Sequence, residues 1–120
     1  MTMEEALYKF WNSFGIPAYP VSSIPEDLEF PWITYENNID IPFGSPISIT
    51  VNVWYRTESE AVPNAKVRQI FERIGRGGVQ IPYSEGAIWI TCGSPFSIAL
   101  ADGSDASIKR RALNINLEFH

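Results

Sequence analysis

Few side chains in this chain could do chemistry. Its 120 residues include one cysteine, Cys92, and one histidine, His120. A thiol nucleophile needs a base beside it, and an imidazole at position 120 would be poorly held if that end frays. Cys92, at a strand end before Gly93-Ser94-Pro95, therefore reads as a buried or half-buried structural thiol. One Cys and one His cannot build a Cys/His zinc site, and a lone Cys forms no internal disulfide. No Gly-x-Ser-x-Gly elbow marks a serine nucleophile. The carboxylate pairs Glu4/Glu5, Glu26/Asp27 and Glu58/Glu60 are close enough in sequence for acid–base work. The first pair suits a helix N-terminus, whose dipole favours acids, and all three read as solvated. Gly75-Arg76-Gly77-Gly78 is glycine-rich and carries a base, but it leads from a helix to a strand. A phosphate loop runs the other way, so that free helix amides meet the anion, and a helix stop is the better reading. No set of residues calls for a catalytic centre, a cofactor or a metal.

The elements that would position these residues are clear from periodicity. Thr2 and Glu5 have capping-box spacing. Leu7, Phe10, Trp11 and Phe14 follow at i, i+3, i+4 and i+7, which predicts a helix over 3–14. Gly15 closes it and Pro17 bars continuation. Residues 16–31 carry four prolines, Pro17, Pro20, Pro25 and Pro31, and read as an extended connector with room for a short edge strand. WITYENNI over 32–39 reads as a strand, and Pro42, Gly44 and Pro46 mark a turn. ISITVNVWYR over 47–56 alternates strictly, with Ile47, Ile49, Val51, Val53 and Tyr55 on one face, as in a sheet with one buried side. A second helix over 62–74 has Val67, Ile70, Phe71 and Ile74 at helical spacing, with Pro63 in its first turn. Residues 79–83 and 87–92 read as a hairpin, 93–107 as a long connection, and 108–119 as a closing strand.

These elements predict an α+β fold in one domain over 1–120, in the order α-β-β-α-β-β-β. The expected sheet is antiparallel or mixed, with both helices packed on its apolar face in two layers. The N-terminus lacks a basic segment followed by an apolar one, so no signal peptide is expected. No apolar run approaches a membrane span. The expectation is a soluble intracellular protein that meets no membrane and no specific nucleic acid, since phosphate binding needs a basic excess and the net charge is −5.

That charge is unevenly spread. Residues 1–55 hold seven acids and one base, a net of −6; residues 56–120 hold seven acids and eight bases, a net of +1. Either one domain has two differently solvated faces, or an acidic and a basic surface meet in a head-to-tail assembly. The candidate contacts follow from this second reading. Trp54 falls on the polar register of its strand, as a packed aromatic or as an anchor for a partner, beside Arg56. Arg76 lies in the glycine-rich turn. Phe96, Ile98 and Leu100 make the 93–107 connection more apolar than an idle loop needs, as an arm crossing a subunit boundary or as a loop folded on its own core. Lys109, Arg110 and Arg111 form a basic triplet whose members alternate in direction on a strand.

The chain resembles the small tail-completion, or tail-terminator, proteins of long-tailed bacteriophages and prophages. The resemblance runs nearly end to end, through MEEALYKFWNSFG, SITVNVWYRTES, AKVRQIFERIG, GGVQIPYSEGAIWITCGSP and IKRRALNINLEF. It implies a non-enzymatic virion subunit that forms a ring, usually a hexamer, on the tail tube end. The ring's partners would be the major tail tube protein and the head connector or completion protein. Its place would be the virion tail or neck, and the host cytoplasm during assembly. The family offers no catalytic residues to carry over. Two other readings stand beside it. One is a head–tail connector or minor capsid protein. The other is a small ligand-binding α+β domain, with a pocket between the sheet and residues 16–31 lined by Tyr19, Trp32 and Tyr35.

Overall fold

The computed structural model describes residues 1–39, 45–101 and 103–120. Pro42 and Gly44, two of the three residues expected to mark a turn, lie outside them. The fold is α+β. Helix α1 (Met3–Trp11) continues as a 3-10 turn over Asn12–Phe14 and leads to β1 (Ala18–Pro20), β2 (Trp32–Tyr35) and β3 (Ile47–Arg56). Helix α2 (Ala61–Ile74) precedes β4 (Val79–Tyr83), β5 (Gly86–Ala101) and β6 (Ile108–Phe119). The six strands form one mixed sheet in the order β1-β2-β3-β6-β5-β4. Among the described residues only the β1–β2 pair is parallel.

Local chemistry sets the ends of these elements. The Glu5 amide donates to Thr2 Oγ1 at 3.1 Å and the Thr2 amide to Glu5 Oε1 at 3.2 Å, so the capping box forms. Gly15 takes a φ of 86°, the left-handed stop that glycine allows without strain. The expected order lacks one strand. Three residues ending in proline are too short to show a period, yet Ala18–Pro20 pairs along the edge of the sheet, where Pro is tolerated. Asn12 covers the other side of that edge. Its side chain accepts from the Ala18 amide at 3.0 Å and donates to the Ala18 carbonyl at 3.1 Å, as a strand would. Strand β2 stops at Tyr35, not at 39, because the Glu36 carboxylate accepts the Thr50 amide at 2.9 Å where a backbone carbonyl would otherwise serve.

The larger correction concerns 93–107. Most of that expected connection is strand, since β5 runs to Ala101 and pairs with β6 from Ser97 to Ala101. A register shift between Cys92 and Ser97 interrupts the ladder, as at a bulge, where the extra residues break the alternation. Asn114 Nδ2 donates to the Pro95 carbonyl at 2.6 Å and ties the bulge to β6.

Alternation decides the core. Ile49, Val51 and Val53 of β3 and Leu113, Ile115, Leu117 and Phe119 of β6 are buried, while the residues between them are half-exposed or exposed. Leu7, Phe10 and Trp11 of α1 and Ile70 and Ile74 of α2 join them in one hydrophobic cluster. Trp11, fully buried, stacks on Tyr35 with ring centroids 6.4 Å apart.

Candidate interaction surface

The half-exposed face of the sheet carries a row of aromatic and cationic side chains. Trp32 of β2 pairs with Trp54 of β3, which pairs with Arg110 of β6, which pairs with Leu100 of β5. Side chains directly opposite one another across strands interact, and here they stack. The Trp32 and Trp54 rings lie 6.0 Å apart at 23°, and Phe30 sits 4.3 Å from Trp32. The Arg110 guanidinium lies 5.2 Å from the Trp54 ring centre, and that of Arg56 5.0 Å from Phe30. These are cation–π distances. Trp54 is oriented by its indole N–H, which donates to Thr34 Oγ1 at 3.1 Å. Arg56 is braced by Asp105 at 3.8 Å. Ile98, opposite Ala112 in the adjacent row, is 45% exposed. Aromatic rings and arginines on a sheet face are the residue types that dominate binding energy at protein interfaces.

Four of the residues expected at an interface therefore lie together: Trp54, Arg56, Arg110 and Leu100. The others do not join the row. Phe96 packs on Phe71 of α2 at 5.4 Å. Arg76 is exposed in the turn between α2 and β4. Lys109 and Arg111 point to the other side, toward Glu60. Lys109 Nζ lies 3.6 Å from Glu60 Oε1. Arg111, only 4% exposed, donates to Glu60 Oε2 and, through Nε at 3.1 Å, to Asn64 Oδ1. Hydrogen bonding from Arg111, with the charges of Arg111 and Lys109 adding to it, holds the Glu60 carboxyl below its ordinary range. Glu60, expected to be merely solvated, is thus the counter-ion of a buried arginine. Phe30 was not among the expected contacts. Its place two residues before Trp32 was the local signal; its contact with Arg56 joins residues far apart in sequence and shows in no local pattern.

The reactive groups remain apart. Cys92 lies opposite Ile115. His120 is five positions further along the strand direction, a separation of about 16 Å at strand rise. Burial pushes the Cys92 thiol up, away from the thiolate. His120 instead faces Glu118 at 3.7 Å. The turn at 75–78 serves as the helix stop its sequence suggests: the Gly75 amide donates to the Phe71 carbonyl at 2.8 Å, and the Gly77 carbonyl accepts the Trp89 indole N–H at 2.9 Å. Among the described residues, no group of three or more His, Cys, Asp or Glu side chains could hold a metal ion, and no helix is long and apolar enough to cross a membrane.

The expected Tyr19, Trp32 and Tyr35 pocket does not form from those three residues. Trp32 and Tyr35 are three apart in one strand and so face opposite sides of the sheet; Trp32 joins the aromatic row and Tyr35 is buried against Trp11. A different cleft, of about 280 Å³, lies between α1 and the ends of β1 and β2, lined by Met3, Leu7, Tyr8, Pro20, Tyr35 and Asn37 with Glu4 and Glu5 at its side. Burial raises the Tyr35 hydroxyl to about 12, so it stays neutral there.

No family model matches the chain, and no curated protein or solved structure matches it either.

Proposed function

We propose that this protein is a non-enzymatic assembly subunit, a tail-completion or tail-terminator protein that forms a ring, usually a hexamer, on the end of a phage tail tube. In this reading it joins the tube protein below to the head connector above, in the virion neck. We further propose that its architecture is two-layered, with both helices on one face of the sheet and the other face free for partners. The observation that carries the reading is the row Phe30–Trp32–Trp54–Arg110 on the half-exposed face. A terminator must bind the last layer of tube more favourably than another tube subunit does. A row of stacked rings flanked by arginines can supply that preference without any covalent step. The separation of Cys92 from His120 and the internal use of Glu60 are consistent with a protein that acts by fitting.

Electron microscopy of tail tubes assembled without a terminator tests the reading. Added protein should cap one end of each tube with a ring and halt elongation, and the Trp54→Ala/Arg110→Ala variant should cap far fewer. Tubes that elongate unchanged, with bare ends at saturating protein, would reject it.

A further inference from the structure

A strand edge presents N–H and C=O groups free to pair with another chain, and the edges of this sheet differ in how far they are closed. The Ala87 and His120 backbones exchange both hydrogen bonds, at 3.0 and 2.9 Å. Successive residues of an antiparallel strand bond to opposite sides. The even-numbered residues of β6 therefore bond to β5, and Ile88 and Ile90 of β5 bond to β4. At the β1 edge the Asn12 side chain takes both groups of Ala18, and Pro20 has no N–H to offer. On β4, Val79 and Ile81 bond to Ile90 and Ile88, which leaves Gln80 and Pro82 facing outward, and Pro82 again lacks a donor. Beyond Ile90 no strand lies outside β5 among the described residues. There Ile98 and Leu100, opposite Ala112 and Arg110, bond inward to β6. Ser97, Ala99 and Ala101 point their N–H and C=O groups outward, and no hydrogen bond among the described residues takes them. The stretch Ser97-Ile98-Ala99-Leu100-Ala101 contains no proline and no charged residue, two devices that blunt a free edge. Ala99 and Ala101 are exposed. One exposed apolar side chain stands on each face of the sheet near this edge: Ile98, 45% exposed, on the open face, and Phe71 of α2, 40% exposed, on the helix face. Arg68 and Glu72, both exposed, flank Phe71 with opposite charges.

We infer that this edge pairs with the same edge of a second copy, antiparallel, about a two-fold axis at Ala99. In that register Ala99 faces Ala99 of the other copy, and Ser97 faces Ala101. Each facing pair exchanges both N–H···O=C bonds, so every outward group from Ser97 to Ala101 finds a partner. The match of the edge to itself selects a second copy. The outward residues are symmetric about Ala99, the side chains that meet on the axis are methyl groups, and no charge in the stretch is repeated across it. On the open face Ile98 lies opposite Leu100 of the other copy, and such cross-strand pairs stabilise a sheet. The β1 and β4 edges of a second copy cannot supply the strand, because Asn12 occupies the first and proline interrupts the second. Contact of one surface with itself is isologous and closes at two copies. The axis stands perpendicular to the sheet, so the faces that carry Trp54 and Arg110 lie on one side of the pair. The pairing goes beyond the function proposed above and does not depend on it.

Sedimentation velocity of the full-length protein tests the pairing through charge at the axis. The wild type should sediment as a dimer. Ala99→Lys and Ala99→Glu should each weaken self-association at least about tenfold, because each sets like charges face to face. Mixing the two variants should restore a dimer with one chain of each, since only at a two-fold axis does residue 99 meet itself. Circular dichroism of each variant checks that it is folded, and the mixture keeps the test open if one variant is weakened. A wild type that stays monomeric up to about 1 mM would overturn the inference and leave the edge to a foreign strand. Folded Ala99→Lys with wild-type self-association would overturn it as well. Register has its own readout in a Cys92→Ser background. Oxidation should link Ala99→Cys into a disulfide dimer, since facing residues lie about 5.5 Å apart. Ser97→Cys alone should not link, its two copies being about 13 Å apart along the strands, whereas Ser97→Cys mixed with Ala101→Cys should. Equal linking of Ala99→Cys and Ser97→Cys would reject the register. Pairing without tube capping retires the tail reading and leaves this edge contact standing; capping by a protein that does not pair does the reverse.

Discussion

Arg111 points to the buried face of the sheet, where Glu60 and Asn64 of the α2 end surround its guanidinium. Arg110, the residue before it, points to the other face and lies over the Trp54 ring. The same side-chain type, one position apart, is structural on one side and available on the other. The difference generalises. The face of Arg111 is packed with buried aliphatic and aromatic side chains. The face of Arg110 is covered by rings stacked on rings, with polar residues such as Asn114 and Asn116 beyond them. A packed interior uses a charge only when that charge is paired. A half-exposed face can present one.

The first way to break this comparison is to truncate one tryptophan on each face. Trp11 is fully buried, so Trp11→Ala should cost roughly 3–5 kcal/mol in urea unfolding. Trp54 is half-exposed, and Trp54→Ala should cost about 1 kcal/mol. Equal losses would mean that the open face is a second core. Trp11→Phe should cost much less than Trp11→Ala, because Nε1 of Trp11 has no hydrogen-bond partner among the described residues and the substitution removes a buried unpaired donor.

The open face has one tightly built place, and the next effect in size is there. A Cβ on Gly93 would lie 2.9 Å from Asn114 Cβ and 3.1 Å from its carbonyl oxygen, too close to accept without backbone movement. Gly93→Ala should cost about 1–3 kcal/mol, whereas Thr91→Ala, two residues away on the same strand, should stay within about 0.5 kcal/mol. Similar values for the two would show that the bulge yields. A smaller effect belongs to Trp54→Phe. It keeps a ring over Thr34 but removes the indole N–H that donates to Thr34 Oγ1. The expected loss is about 0.5 kcal/mol, and under the proposed function tube capping is nearly retained because a ring still meets Arg110.

What the sequence discloses follows the range of the interactions. Strands 47–56 and 108–119 are legible to the residue because period-two burial repeats over ten and twelve positions. Both helices are legible because their apolar residues keep helical spacing and one of them carries a capping box. The second half of β5 is hidden because the bulge after Cys92 shifts the alternation, so the stretch around Gly93-Ser94-Pro95 has the composition of a loop. The candidate surface is legible only in part. Trp54 and Arg110 each stand out alone, but that they meet depends on the register of β3 against β6, which no local pattern states. The bond between Arg111 and Glu60 spans 51 positions, so a basic triplet that looks uniformly solvated holds one buried member.

The smallest effect uses pH to separate the two arginines. The Glu60 carboxyl sits below its ordinary value of 4.5, chiefly through the hydrogen bond from Arg111. A depressed folded-state pKa means that the unfolded chain takes up the proton first as the pH falls. The stabilisation is therefore complete above the ordinary value and drains away as the pH passes down through the folded one. Asp105, lowered mainly by Ser107, and Glu5, lowered mainly by Thr2, act in the same direction. The wild-type melting temperature should accordingly fall below about pH 4.5. In Arg111→Met the Glu60 share of that fall shrinks to what Lys109 still supplies, while the shares of Asp105 and Glu5 remain, so the slope becomes shallower. In Arg110→Met it should be unchanged, because Arg110 faces Trp54 and, among the described residues, has no ion pair. Melting curves of the three proteins between pH 7 and pH 3 measure this directly. The effect is modest because Glu60 is 62% exposed and water screens its share of the pair. Parallel slopes for Arg111→Met and Arg110→Met would erase the distinction between a structural and an available arginine.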